Sequence, residues 1–260
     1  TAAPAPAQQI ATATAVSAPR TIQRSLTQTR QVDESGIEYL RVQGFPYGLR
    51  QAVAASCRQF SSRVWILDNS GSMGQCDGKK VLVSAKTMLS CSRWEELCHS
   101  VGFQVDLAQF LKVPVYFRLL NKSLETGQQF FEVSSTNPAE LRQQAKLAKE
   151  IMVKSVPRNA TPLTSQLTAV RSRILDELGE LTSEGKRVVV VIATDGLPSD
   201  STGKTNASTK RQFRDTLRSL HGLPIWVVVR LCTDDAAVVE YWNDIDSEIE
   251  VPLEVLDDWL

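Results

Sequence analysis

The chain has 260 residues, 42% of them hydrophobic, which is enough apolar material for one large core with extensions. Lysine and arginine number 29, as do aspartate and glutamate, so the formal net charge is zero and no global field draws in nucleic acid or an anionic membrane. The longest purely apolar runs, residues 188–193 and 224–229, are far shorter than the ~20 residues a membrane-spanning helix needs, so no transmembrane segment is expected.

Residues 1–47 read as a low-complexity arm and lead-in, and residues 48–260 as the folded domain. The first 32 residues are rich in Ala, Thr, Ser, Gln and Pro and contain no acidic residue. Such a stretch cannot bury enough apolar surface to fold alone. It fits the remnant of an organelle transit peptide, a flexible arm, or an arm that orders against a neighbour. Five cysteines (Cys57, Cys76, Cys91, Cys98 and Cys232) make an odd set with no C-x-x-C pair. That argues against a disulfide framework or a structural zinc site, and for free thiols in a reducing, intracellular compartment, cytoplasm or organelle.

The spacing of apolar residues predicts a helix over 48–60, followed by a buried strand over 63–68 and a turn-rich segment to about Lys80. A helix is expected over 94–112, with an apolar stripe through Leu97, Val101, Val105 and Leu107. Residues 115–120 form a strand and 129–134 its hairpin partner. Asn137-Pro138 opens a helix to about Lys154, with proline in the first turn. A loop over 156–163 leads into a helix over 164–178. Residues 187–194 (RVVVVIAT) are a strand covered on both faces. After a polar loop come a helix over 206–220, a buried strand over 225–231, a helix over 234–243 and an edge strand over 251–256. Strands alternating with helices, the most apolar strands central, define an α/β fold: a doubly wound, mostly parallel central sheet flanked by helices. Ligands of such sheets bind at the carboxyl ends of the strands.

Three loops concentrate oxygen donors. Asp68-Asn69-Ser70-Gly71-Ser72 directly follows one strand, Ala160-Thr161-Pro162-Leu163 precedes a helix, and Thr194-Asp195-Gly196 follows another strand. Spacing by two in a turn lets Asp68, Ser70 and Ser72 point to one centre, with Gly71 expected to ease a tight reversal. Two carboxylates and three hydroxyls suit a hard cation such as Mg²⁺, which takes about six oxygens and usually keeps some water.

The D-x-S-x-S run, the threonine of T-P-L and the aspartate of T-D-G, in this order and on these strands, resemble the metal-ion-dependent adhesion site (MIDAS) of von Willebrand factor A (vWA) domains, a Rossmann-like fold. The resemblance covers residues 60–245. It implies Asp68, Ser70, Ser72, Thr161 and Asp195 as metal ligands, some through water, for Mg²⁺ with Mn²⁺ or Ca²⁺ as alternatives. Met73 is expected to pack rather than ligate. Leu67 to Met73 and Arg93-Trp94-Glu95-Glu96-Leu97 are similar to intracellular vWA proteins of algae and related eukaryotes more than to integrins. The family's habit implies a protein partner, reached through an acidic residue that completes the metal shell.

Competing motifs fail on spacing. An EF-hand starting at Asp68 would have Met73 at its glycine and Lys79 at its glutamate. A phosphate loop ending at Gly203-Lys204-Thr205 would begin at Pro198, which lacks the N–H the loop uses. His99 and His221 lie in or at the end of predicted helices, and no G-x-S-x-G elbow is present, so no enzyme activity is expected. Trp94-Glu95-Glu96 and Asp257-Asp258 read as solvated acidic clusters. The leading expectation is a metal-dependent protein-binding module, a subunit or adaptor of an assembly, with a separate AAA+ motor as one variant. The alternative is a structural subunit whose metal only stabilises the fold. A metal-dependent hydrolase is a weaker third reading, because no general base is evident beyond the ligands.

Overall fold

The computed structural model describes residue 26, residues 32–82 and residues 87–256. In chain order the elements are α1 (Glu34–Val42), α2 (Tyr47–Gln59), β1 (Phe60–Leu67), a 3-10 turn (Gly71–Gly74), β2 (Gly78–Leu82), β3 (Thr87–Cys91), α3 (Arg93–Leu111), β4 (Val115–Leu119), β5 (Phe130–Val133), α4 (Pro138–Lys154), α5 (Leu163–Asp176), α6 (Leu178–Ser183), β6 (Arg187–Thr194), α7 (Ala207–Arg218), β7 (Ile225–Leu231), α8 (Ala236–Glu248) and β8 (Leu253–Leu256).

The main sheet has the order β5-β4-β1-β6-β7-β8. Strands β4, β1, β6, β7 and β8 run parallel, and β5 is antiparallel to β4 at one edge. This is the doubly wound α/β sheet expected from the alternation of elements. Side-chain alternation explains why residues 64–67 of β1 and 188–193 of β6 are apolar without a break. Val64 and Ile66 of β1, with Val188, Val190 and Ile192 of β6, enter the core shared with α5, α7 and α8. Their neighbours Trp65, Leu67, Val191 and Ala193 enter the opposite core with α3 and α4. A strand buried on both faces has no polar alternation to show.

Local chemistry sets the helix starts. Asn137 accepts from the amides of Ala139 and Glu140, with Pro138 in the first turn of α4. Ser92 and Glu95 form a reciprocal capping box at α3. Asp235 accepts from the amides of Ala237 and Val238 to open α8.

Three features differ from the sequence expectation. First, the turn-rich segment contains an antiparallel hairpin, β2 with β3. Residues Thr87 to Ser90 are exposed, so no buried face imposed a readable period. Second, the helix expected over 164–178 breaks at Glu177 into α5 and α6. Third, α1 lies within the lead-in. It packs on α3 through Tyr39, stacked on Phe110 at 4.1 Å, and through Leu40, buried with Cys57, Leu111 and Val113. Further upstream, Leu26 is fully buried in the core under β1 and α5, and its amide donates to the Glu177 carboxylate. The remaining part of the expected arm and Asp257-Asp258 lie outside the described residues. Among the described residues no helix is long and apolar enough to cross a membrane.

Candidate functional site

The chain leaves β1 in one direction, toward β4 and β5, and builds β6, β7 and β8 on the other side. The carboxyl ends of β1 and β6 therefore flank the reversal of strand order, where doubly wound sheets hold their ligands. Asp68 follows β1 directly. Thr194 ends β6 and Asp195 follows it. Thr161 stands two residues before α5. All five residues expected as ligands lie at this edge.

Four of them form one hydrogen-bonded chain. Asp68 is completely buried; its Oδ1 accepts from the Ser70 amide at 2.8 Å and its Oδ2 from Thr194 Oγ1 at 2.5 Å. The Ser70 and Ser72 hydroxyls are 3.1 Å apart, and Ser72 Oγ donates to Asp195 Oδ1 at 2.8 Å. Thr161 is reached through Gly196, since its Oγ1 lies 3.8 Å from where a Cβ on that glycine would stand. Burial, and next the nearby Asp195 carboxylate, push the Asp68 carboxyl up to about 6. Asp68, Ser70, Thr161 and Asp195 are buried and Ser72 is half-buried, beside an exposed Gly71, so the site opens at the 3-10 turn.

The loops are held from behind. Asn69 and Asn121 exchange bonds, the Asn69 amide donating to the Asn121 carbonyl at 2.9 Å and the Asn121 N–H to Asn69 Oδ1 at 2.8 Å. Asn121 Nδ2 also donates to the Ala160 carbonyl at 2.8 Å, which ties the Thr161 loop to the loop that carries Asn69. Ser199 Oγ accepts from the Thr161 amide at 2.9 Å, and Trp242 Nε1 donates to the Gly196 carbonyl at 3.3 Å. Gly71 does not play the part expected of it. Its φ is not positive, and a Cβ there would meet only the Asn159 carbonyl, at the ordinary distance of 4.0 Å. The left-handed residue is Asn159 itself, at φ 71°, which turns its carbonyl to accept from the Gly71 amide at 3.2 Å. Met73 packs in the core with Leu67 and Trp94, as expected.

Sequence reasoning missed Arg93. The first residue of α3 sends its guanidinium into the site, where Nη1 donates to Asp195 Oδ2 at 2.9 Å. Its Nε and Nη2 grip Asp77 at 2.7 and 2.5 Å. Asp77 first, and then Asp195, raise the guanidinium above its ordinary value, while Arg93 lowers the Asp77 carboxyl. The adjoining residues are only in part the solvated acidic face expected: Glu95 is exposed and caps the helix, but Trp94 is buried and Glu96 pairs with Arg230 at 3.1 Å. The only sequence signal was a basic residue directly after a capping serine, where helix N-termini favour acids.

The donor set fits a small hard cation. Octahedral ligands at ~2.1 Å stand about 3 Å apart along each edge, and the Ser70–Ser72 and Ser72–Asp195 separations are 3.1 and 2.8 Å. Among the described residues no cluster of three or more His, Cys, Asp or Glu could hold a metal, so such a centre depends on hydroxyls joining two carboxylates. The phosphate-loop decoy is already filled: Asp200 Oδ1 accepts from the amides of Thr202 and Lys204, around an exposed Gly203. His99 and His221 are exposed and remote from these loops in sequence and contact.

Fold and loops together define a doubly wound α/β domain with a buried polar site at its strand-order reversal. No protein-family model and no curated protein matches the sequence. Solved structures of similar shape include the TFIIH p34 N-terminal domain, 12% identical with a TM-score of 0.46, covering 76% of this chain and 91% of that one. The SpRpn10 VWA domain is 7% identical with a TM-score of 0.46, covering 76% and 88%. A variant of the PilB minor pilin from Streptococcus sanguinis is 14% identical with a TM-score of 0.49, covering 77% of this chain and 57% of that one. The chemistry of the site rests on its own residues.

Proposed function

We propose that this chain is a metal-dependent protein-binding module of the vWA type, working as an adaptor or subunit in an assembly. The observation that supports it is the convergence of Asp68, Ser70, Ser72 and Asp195 from two strand ends into one hydrogen-bonded cluster, with Thr161 at its border. A Mg²⁺ ion held there supplies an electrophilic position that a partner's carboxylate oxygen can fill. Asp68 and Asp195 provide the anionic charge. Ser70, Ser72 and Thr161 add neutral oxygens, so the charge count stays at two and an anionic partner is not repelled. The half-buried Ser72 and exposed Gly71 leave one side open to a macromolecule. No residue in the cluster is placed as a general base apart from the ligands, which favours binding over hydrolysis.

Calorimetric titration with Mg²⁺ and Mn²⁺, on the wild type and on Asp68→Ala and Asp195→Ala, tests the metal. Capture of partners with and without EDTA, on the same three proteins, tests its use. The reading expects binding of both metal and partner to vanish in the variants. Unchanged capture under all treatments refutes the metal-dependent mechanism. EDTA that lowers the melting temperature yet leaves capture intact selects the structural-subunit alternative, because a ion bound only to the native state stabilises it by mass action.

A further inference from the structure

We propose that Arg93 is a resident cation of the centre, compensating Asp195 in the metal-free protein and opposing a divalent ion there, so that metal binding is weak and readily reversed. The inference rests on the metal-site reading above. It starts from placement. Arg93 is the first residue of α3, where the positive end of the helix dipole disfavours a cation. Its side chain is only 10% exposed, and a charge so buried has to be paired.

Two carboxylates meet that demand from opposite directions. Asp77, more than half exposed, takes one edge of the guanidinium through Nε and Nη2. That leaves Nη1 aimed at Asp195, whose side chain is fully buried. The planar fork makes this double grip feasible, which a lysine ammonium cannot reproduce. Both oxygens of Asp195 are thereby engaged, Oδ2 by Arg93 and Oδ1 by Ser72. A divalent ion on Asp195 meets a positive charge fixed behind the same carboxylate, in surroundings where solvent screens poorly.

A different role predicts the opposite sign. Ligand carboxylates are commonly oriented by a hydrogen bond from behind, and losing such a donor weakens metal binding. If Arg93 only orients Asp195, removing it lowers affinity; if it opposes the metal, removing its charge raises affinity.

The test is calorimetric titration of Mn²⁺ and Mg²⁺ into the wild type, Arg93→Gln, Arg93→Lys and Arg93→Gln combined with Asp68→Ala. Glutamine keeps a donor without the charge, and should tighten binding by about tenfold or more. Lysine keeps a charge but not the fork that fixes it on Asp195, and should fall between the wild type and Arg93→Gln. The double variant should bind no metal. Asp68-dependent binding that is equal or weaker in Arg93→Gln overturns the proposal and leaves the metal-site reading standing. Absence of binding in both wild type and Arg93→Gln refutes the metal-site reading itself. If Arg93→Gln does not fold, the wild type decides through the NMR signal of Arg93 Nη1–H, the donor to Asp195. That signal should move as Mg²⁺ saturates the site, and an unmoved signal during binding overturns the proposal.

Discussion

Ser72 Oγ donates to Asp195 Oδ1 at 2.8 Å, although the two residues are 123 positions apart. The bond closes the gap between the loop after β1 and the loop after β6. It couples a half-buried hydroxyl, on the open side of the site, to a buried carboxylate that Arg93 holds from behind. Perturbations on either side of this bond should therefore be felt on the other.

The first expected outcome concerns pH. The Asp68 carboxyl rises from its ordinary 3.8 to about 6, chiefly through burial. Between those values the folded chain keeps a proton that the unfolded chain has lost, so this group's contribution to stability falls as pH rises from about 4 to about 6. A shift of this size is worth about 3 kcal/mol at most. In urea unfolding of metal-depleted protein, the wild type should therefore gain on Asp68→Asn as pH is lowered through that window. Parallel pH profiles for the two proteins would contradict this.

The Asn121 side chain holds the loop before α5 through the Arg158 and Ala160 carbonyls, while its backbone holds Asn69, so its removal should be costly without touching any expected ligand. Asn121→Ala should lose about 1 kcal/mol, because the half-buried carbonyl of Ala160 loses its 2.8 Å donor. Chemical denaturation reads the loss. A Mn²⁺ titration of the same variant should show weaker binding, since the Thr161 loop then keeps only its backbone bonds to the Asn69 loop, Arg158 N–H to the Asn69 carbonyl and Gly71 N–H to the Asn159 carbonyl. Full stability in this variant would mean that water replaces the amide.

Thr161→Val separates the hydroxyl from the fold. The Thr161 amide keeps its bond to Ser199 Oγ at 2.9 Å, so the loop should stay in place. Loss of the oxygen alone should weaken Mg²⁺ by about tenfold with a melting curve changed by about 1 kcal/mol or less. Equal metal affinity would remove Thr161 from the ligand set.

Trp242 supports the site from the side of α8. It is fully buried, meets Phe213 and Tyr241 edge-on at 5.4 and 5.5 Å, and donates to the Gly196 carbonyl. Trp242→Ala should cost about 3–5 kcal/mol through the cavity it leaves. Trp242→Phe should cost about 1–3 kcal/mol and faster hydrogen exchange at Gly196 and Leu197 should accompany it. Exchange confined to α8 would show that the loop does not depend on this contact.

The sequence by itself determined the sheet. Residues 188–193 and 225–229 are apolar because β6 is covered on both faces and β7 fully on one and partly on the other, and burial of that kind is written in composition. It also determined where α4 starts, since Asn137 and Pro138 act within one turn. It brought Asp68 and Asp195 to the same edge, because a parallel sheet carries the ends of its strands to one side. What tertiary structure decided lies in contacts that no local period encodes. The hairpin of β2 and β3 has an exposed face and leaves no apolar alternation to read. The left-handed turn falls on Asn159 rather than Gly71, because it is the returning loop that must present its carbonyl. Arg93 looked like one charged residue at a helix start. Only the packing of α3 against the strand ends sets it against Asp195, 102 positions away, and an ion pair across that separation depends on the whole fold rather than on its neighbours in sequence.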